Sequence, residues 1–267
     1  MDKTAIEKCI QDGLMKGYGE QIQLVSSYTE LVEEVREYLL TVNVAQQLLR
    51  WNNNHNYKIQ IEYSILHFYQ NAFPASSTKW NDIFDSETTA RLSGHSPTNT
   101  LNQKIDIAII QDRNADNASS CERTVMGIEL KAINKNEANI KRDAERLARA
   151  MLKKDPTDEN SIKYCFCGFV MRLDENTQIV KTNDIQKLRT EKDLHWNTIC
   201  NDFNTQFHDL HFTFSMFDIR NTPLEAIEEF HKKIGSDYSE VAAETGIVVG
   251  GIITIKRNAN TLTNSQI

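Results

Sequence analysis

The sequence has no hydrophobic run long enough to cross a bilayer. Its longest nearly unbroken apolar stretch, residues 246–255, is short and rich in residues that favour β-strands. Charges occur within the first fifteen residues, where a signal peptide would need an apolar segment. The five cysteines are odd in number and form no Cys-x-x-Cys pair, which favours reduced thiols over a disulfide framework. We therefore expect a cytoplasmic protein with no membrane partner.

Two widespread catalytic motifs are also missing. The sequence contains no glycine-rich phosphate loop of the Walker or Rossmann kind and no Gly-x-Ser-x-Gly motif. These absences disfavour nucleotide hydrolysis and serine chemistry. The net charge of −7 argues against a surface that coats nucleic acid non-specifically, although affinity depends on the local field rather than on the sum.

The apolar pattern predicts an α/β protein. With 267 residues, 40% of them apolar, the chain can form a sizeable core. Helical periodicity and strand-like runs alternate along most of its length. We expect helices at about 20–50, 60–72, 137–153, 184–207 and 223–234, a connection over 74–103, and strands at 104–111, 124–133, 162–173, 211–219 and 246–256.

Two adjacent predicted strands each contain acidic residues within an apolar run. Asp106 interrupts KIDIAII, while Glu129 and Lys131 lie in GIELKAI. Glu129-Leu130-Lys131 is the only acid-x-Lys triplet in the chain. Ionic groups are costly within an apolar strand unless they are paired or bind a metal. Because side chains alternate along a strand with period two, Glu129 and Lys131 are expected on the same face of the sheet.

These groups suit the hydrolysis of a phosphodiester. Mg²⁺ is held well by one or two carboxylates, which leave its other positions for water and for substrate phosphate. Asp106 and Glu129 would supply the carboxylates. The Lys131 ammonium would position the water or the phosphate and stabilise the charge that develops. The expected cofactor is therefore Mg²⁺, with Mn²⁺ as a substitute.

Asp106, the Glu129-Leu130-Lys131 triplet and the helix that follows them resemble the pattern of the PD-(D/E)XK nuclease superfamily, over about residues 55–175. Ile105 stands where the family's name has proline. The resemblance implies a DNA endonuclease that depends on Mg²⁺, of the kind that serves in bacterial defence against phage or plasmids. It also implies a homodimer or a partner subunit, because cutting two strands needs two sites.

The resemblance further implies how the chain is organised. It predicts a restriction endonuclease-like core, in which a mixed central sheet is flanked by helices. Residues 1–54 would form an N-terminal helical extension, residues 55–257 the nuclease-like domain, and residues 258–267 a flexible tail.

Further site residues follow from the same resemblance. Many family members carry a glutamate on the helix before the first strand, and Glu62 matches that position. Glu62 would complete the catalytic site and help to hold the metal ion, with the Leu130 carbonyl as another ligand. Eight basic residues and three acids occur between positions 131 and 154. The candidates for nucleic-acid contacts there are Lys135, Lys141, Arg142, Arg146 and Arg149, with Asp143 as a possible supporting residue.

Simpler interpretations remain open for each of these groups. Asp106, Glu129 and Lys131 could form a structural ion pair on adjacent strands, although a buried ion pair is poor evidence of stability. Glu62 and the basic residues of the 137–153 helix could lie on solvated faces. Two other functions also fit the sequence: a catalytically silent nuclease-like module that binds DNA or a partner protein, and a nuclease directed at RNA.

Overall fold

The computed structural model describes residues 2–25, 33–54, 57–72, 103–111, 122–132, 136–152, 160–173, 182–220 and 247–258. The elements in these ranges are α1 (Lys3–Val25), α2 (Glu33–Trp51), a 3₁₀ turn (Asn52–Asn54), β1 (Tyr57–Ser64), α3 (Ile65–Gln70), β2 (Lys104–Gln111), β3 (Arg123–Lys131), α4 (Glu137–Leu152), β4 (Tyr164–Arg172), α5 (Thr182–Gln206), β5 (Leu210–Arg220) and β6 (Val248–Arg257). None of the helices in the described ranges is long and apolar enough to span a membrane.

The described strands form one six-stranded mixed sheet in the order β1-β2-β3-β4-β6-β5. β3 and β4 are parallel and are connected through α4, whereas the other neighbouring pairs are antiparallel. A parallel pair needs such a crossover, because the chain must return to the same end of the sheet. The C-terminal end of β3, which carries Glu129 and Lys131, therefore leads directly towards α4.

Helices cover both faces of this sheet. Ile10 of α1 and Leu40 of α2 share one buried cluster with Ile128 of β3. Leu147 of α4 and Trp196 of α5 belong to a second buried cluster on the opposite face. Strands that are buried on both faces have nearly continuous apolar sequences, as β2, β3 and β4 do. The sheet is thus the middle of three layers.

The close approach of α1 and α2 requires a glycine at position 13. A Cβ atom added at Gly13 would meet the Cα atom of Val44 at 2.4 Å, far inside van der Waals contact. Gly19 lies further along α1, and a Cβ atom there would meet no atom within 4 Å. Only Gly13 of these two is therefore required by the packing of the helices.

Gly13→Ala is expected to lower the free energy of unfolding by about 1–3 kcal/mol, because α1 and α2 must move apart to make room. Gly19→Ala is the matched control and should raise stability by about 0.5–1 kcal/mol, since alanine is favoured over glycine within a helix. Urea unfolding followed by circular dichroism measures both. Equal stability of the two variants would contradict the contact at Val44.

The elements expected from residue 104 onward agree with the structure to within about two residues wherever the structure describes them. The α/β class and a mixed sheet flanked by helices, N-terminal helices among them, are confirmed. The helices expected at about 20–50, within the helical segment 1–54, are α2 and the last part of α1, and α1 begins earlier, at Lys3.

The helix predicted over 60–72 is correct only for residues 65–70. The chain forms the edge strand β1 up to Ser64 and only then the short helix α3. Ile59, Ile61 and Tyr63 alternate with polar residues, and β1 pairs with β2 in antiparallel register over this stretch. Glu62 therefore lies on a strand and not on a helix.

Some predictions concern residues outside the described ranges. These are the helix at 223–234, nearly all of the connection at 74–103, Lys135, and the tail beyond Asn258. Asn258 itself is anchored, because its side-chain amide donates to the carbonyl of His208 at 2.7 Å.

Candidate functional site

Asp106 and the Glu129–Lys131 segment lie where β2 and β3 separate. The backbone pairing of these strands ends at Ile107 and Ile128, although both strands continue beyond it. Past that point a side chain takes the place of the backbone partner, since the Leu130 N–H donates to the Asp106 carboxylate at 2.6 Å. The gap between the strands therefore holds the Asp106 side chain in a defined position.

Asp106 and Glu129 form a closely interacting pair of acids. Each carboxyl group lies close enough to affect the pKa of the other. Burial raises the pKa of both carboxyl groups, and repulsion by Asp106 raises the pKa of Glu129 further. Glu129 is only 2% exposed. Two buried carboxyl groups in contact favour either a shared proton or a bound cation.

Lys131 is the centre of an ion-pair network. Its ammonium lies 2.7 Å from the Glu37 carboxylate and 3.1 Å from the Asp143 carboxylate. Burial by itself lowers the pKa of Lys131. Four nearby acidic side chains raise it by more, so the pKa lies above its usual value. In order of their effect these are Asp143, Asp106, Glu129 and Glu37. Lys131 is therefore charged at neutral pH and can donate hydrogen bonds but not accept a proton.

Arg146 of α4 reaches the same acids from the helix side. Its Nη2 group donates to the Glu129 carboxylate and lies 3.2 Å from the Asp143 carboxylate. Its Nη1 group donates to the side-chain oxygen of Gln103 at 3.3 Å. The buried Nε–H of Arg146 has no partner among the described residues.

These groups border one cavity of about 310 Å³. Besides Asp106, Glu129, Lys131 and Asp143, its wall includes the side chains of Gln103, Lys104, Asn139, Arg142 and Arg146. The interacting groups in and beside it are the carboxylates of Glu37, Asp106, Glu129 and Asp143 and the cations of Lys131 and Arg146. Three acidic and four basic side chains line the cavity itself, and Glu37 beside it adds a fourth carboxylate.

Two of these carboxylates, those of Asp106 and Glu129, are candidate ligands for a divalent cation. The part of the chain that the structure describes contains no group of three or more His, Cys, Asp or Glu side chains arranged to hold a metal ion. Two carboxylates are nevertheless enough for Mg²⁺, which keeps several waters and takes further oxygens from a phosphate. Asp106 and Glu129 fit such an ion as a two-carboxylate site, in which the ion competes with Arg146 for Glu129.

Glu62 does not border the cavity. Its carboxylate lies 3.1 Å from the Lys104 ammonium, and both side chains are exposed. Its backbone has a φ of 53°, in the left-handed region, so β1 departs from regular strand geometry at the position opposite Asp106. Glu37 of α2 contacts Lys131 instead, and adds to the effect of burial in raising the pKa of Asp106. Glu37 on α2, rather than Glu62, is therefore the glutamate that lies beside Lys131.

The basic residues predicted to contact nucleic acid divide into two groups. Arg142 and Arg146 lie one helical turn apart on α4, and both line the cavity. Lys141 and Arg149 pair with acidic side chains of the same helix and do not border the cavity. Lys135 lies outside the described residues. Among the described basic candidates of α4, Arg142 and Arg146 thus line the cavity, and Lys141 and Arg149 do not.

Glu37, Gln103, Lys104 and Asn139 are residues of the site that sequence reasoning missed. Lys104 was within reach, because it lies two residues before Asp106 on the same predicted strand and hence on the same face. Glu37 could not be found from the sequence in this way, because it is separated from Lys131 by 94 positions and no local pattern connects the two.

No protein-family model matches the chain, and searches of curated proteins and of solved structures find no match either. The functional assignment therefore rests on the geometry and chemistry of the cavity.

Proposed function

We propose that this chain is a metal-dependent nuclease of the PD-(D/E)XK type, with a restriction endonuclease-like core, which hydrolyses phosphodiester bonds in DNA. The observation that supports this most strongly is the pair of contacting acids, Asp106 and Glu129, next to the Lys131 ammonium in a cavity. An ion pair with a purely structural role has no need of a cavity, or of further cations such as Lys104 and Arg142 in the cavity wall.

The side chains have distinct roles in this proposal. Asp106 and Glu129 hold Mg²⁺, or Mn²⁺ in its place, with the Leu130 carbonyl as a further ligand. The bound ion supplies a Lewis acid and lowers the pKa of a water molecule. Lys131 stays protonated, so it orients the attacking water and stabilises negative charge on the phosphate rather than removing a proton. Glu37 holds the Lys131 ammonium in place.

The basic side chains of the cavity provide contacts to the nucleic-acid backbone. Lys104 and Arg142 are exposed, whereas Arg146 lies deeper, and its buried Nε–H has no acceptor among the described residues. A planar guanidinium suits the two oxygens of a phosphate. A second copy or a partner subunit would supply the second site that double-strand cleavage needs. A partner with a basic surface would also add affinity, since the chain itself has a net charge of −7. Defence against phage or plasmid DNA in the cytoplasm belongs to the same proposal.

Asp106→Asn tests the proposal with little disturbance, because asparagine keeps an oxygen acceptor for the Leu130 N–H. The parent protein should bind Mn²⁺ in calorimetry and nick supercoiled plasmid DNA with Mg²⁺, and the variant should do neither. Asp202→Asn changes an exposed residue of α5 and should behave as the parent does. The same assays on single-stranded RNA show whether the protein cleaves DNA or RNA. Cleavage by Asp106→Asn at the parental rate would disprove the site.

A catalytically silent module is the second candidate, and one feature of the same cluster favours it. Arg146 already pairs with Glu129, and Lys131 already pairs with Glu37 and Asp143, so the charges are largely matched within the protein. Such a module would keep the fold in order to bind DNA or a partner protein. It would give no Mn²⁺ isotherm, and its DNA binding, measured by fluorescence anisotropy, would be the same after Asp106→Asn.

Glu37→Gln and Glu62→Gln distinguish the two candidate glutamates. Glu37→Gln is expected to lower the nicking rate by about 10-fold, because the Lys131 ammonium loses one of the groups that orient it. Glu62→Gln should leave the rate unchanged, since Glu62 does not border the cavity. Initial rates at saturating Mg²⁺ measure both effects, with circular dichroism as the control for folding. A larger loss in Glu62→Gln would restore Glu62 to the site.

A further inference from the structure

A second cavity, of about 460 Å³, lies at the opposite end of the sheet from the cavity described above. We call the first cavity the acidic cavity, after the carboxyl groups of Asp106 and Glu129. It is bordered by the last residues of β2 and β6 and by the first residues of β3 and β4. β3 runs from Arg123 at this cavity to Lys131 at the acidic cavity, a distance on the order of 26 Å at about 3.3 Å per residue. The two cavities are therefore separate, and we call this one the basic cavity.

Four basic side chains border the basic cavity: Arg123, Lys163, Lys256 and Arg257. Among the described residues that line it, none is acidic. The whole chain carries a net charge of −7, so this concentration of positive charge departs from the average composition. Four basic side chains around one cavity favour the binding of an anion there.

Hydrogen bonds fix the walls of the basic cavity. Ser161 donates through its hydroxyl to the Thr124 carbonyl at 2.6 Å, and the Asn160 side chain donates to a carbonyl in the last turn of α4 at 2.8 Å. The Arg257 guanidinium donates to the Met151 carbonyl at 2.6 Å. A ligand would therefore meet a preformed set of groups, which reduces the loss of entropy on binding.

The basic cavity also has an apolar portion. Val125, Ile162 and Tyr164 are part of its lining. Its volume lies within the range of small-molecule sites, about 300–1,000 Å³, and a lone phosphate would leave most of it empty. A ligand that combines phosphate groups with a planar ring matches both portions, because the ring can pack against Tyr164.

We propose that the basic cavity binds a small phosphorylated ligand of the nucleotide class, such as a nucleoside diphosphate. The phosphates contact the four basic side chains, and the base lies against the apolar portion. Arg123 and Arg257 are half-buried and anchor the site, whereas Lys163 and Lys256 are exposed at its rim. Binding here requires neither the acidic cavity nor a metal ion, so the proposal is independent of the nuclease assignment.

Calorimetric titration of the full chain with ADP in metal-free buffer tests the proposal. ADP should bind, inorganic phosphate should bind at least about 10-fold more weakly because it fills only the charged portion, and adenosine should give no detectable heat. Lys163→Glu/Lys256→Glu reverses the two exposed cations and should weaken ADP binding by at least about 10-fold. Lys8→Glu/Lys187→Glu makes the same change of charge on α1 and α5, away from the cavity, and should keep the parental affinity.

Three results would overturn the proposal: no ADP binding at millimolar concentration, equal weakening in both double variants, or binding of a short single-stranded oligonucleotide instead of ADP. The last result would assign the cavity to a nucleic-acid strand. ADP binding retained in Asp106→Asn would support the basic cavity as a separate site, whether or not that variant or its parent cleaves plasmid DNA.

Discussion

Glu129→Gln is expected to reduce plasmid cleavage by at least about 10³-fold while the protein remains folded. Glutamine has the shape of glutamate but is a poor ligand for Mg²⁺, which prefers carboxylate oxygens. An alanine at Glu129 or Lys131 would be a less clear test. Both side chains belong to a buried ion-pair network, and alanine would remove their hydrogen-bonding groups as well as their charge and leave a cavity behind. Initial nicking rates together with thermal unfolding curves measure activity and folding on the same samples.

Glu145→Gln is the matched control for this experiment. Glu145 lies on α4, its carboxylate is 3.3 Å from Arg149, and it does not border the acidic cavity. The same substitution there should leave the nicking rate at the parental value. Retention of more than about a tenth of the parental rate by Glu129→Gln would exclude Glu129 as a metal ligand.

Arg146→Met is expected to lower the free energy of unfolding by about 3 kcal/mol, because it leaves Glu129 and Asp143 buried without their guanidinium partner. For a protein of this size, that corresponds to a melting temperature about 6–12 °C lower. The Arg146 side chain is 14% exposed, so solvent screens the lost interaction only weakly. Differential scanning calorimetry in metal-free buffer gives the measurement.

A double-mutant cycle separates this charge effect from a simple loss of packing. Arg146→Met combined with Glu129→Gln should recover about 1–3 kcal/mol relative to the sum of the single variants, since no buried carboxylate then lacks its cation. Arg149→Met removes an arginine from the same helix but outside the cavity and should change stability by less than about 1 kcal/mol. Additive effects of the two single substitutions would show that Arg146 and Glu129 do not act as a pair.

Local sequence patterns were sufficient for β2, β3 and α4. Alternation with period two places Glu129 and Lys131 on one face of β3, and the structure has both in the wall of the same cavity. The amphipathic stripe of residues 137–152 requires a helix, and a helix between two neighbouring strands permits their parallel pairing. These features depend on residues that are close in sequence.

Glu37 and Glu62 show why the rest was beyond local reasoning. The segment around Glu62 has apolar residues at helical spacing, Ile61, Ile65 and Tyr69, and also alternates from Ile59 onward. Pairing with β2 decides between the two patterns, and that pairing is a tertiary contact. The contact of Glu37 with Lys131 likewise depends on how α2 packs on the sheet, across 94 positions of sequence.

The end of backbone pairing between β2 and β3 also makes one amide a reporter of the site. The Leu130 N–H is bonded to a carboxylate rather than to the strand ladder, so its hydrogen exchange depends on the state of Asp106. Protonation of Asp106, or its use by a ligand, would loosen that bond and speed the exchange of this single amide. Neighbouring amides of β3 remain protected by the pairing with β4. Occupancy of the acidic cavity can thus be followed by nuclear magnetic resonance without any substrate.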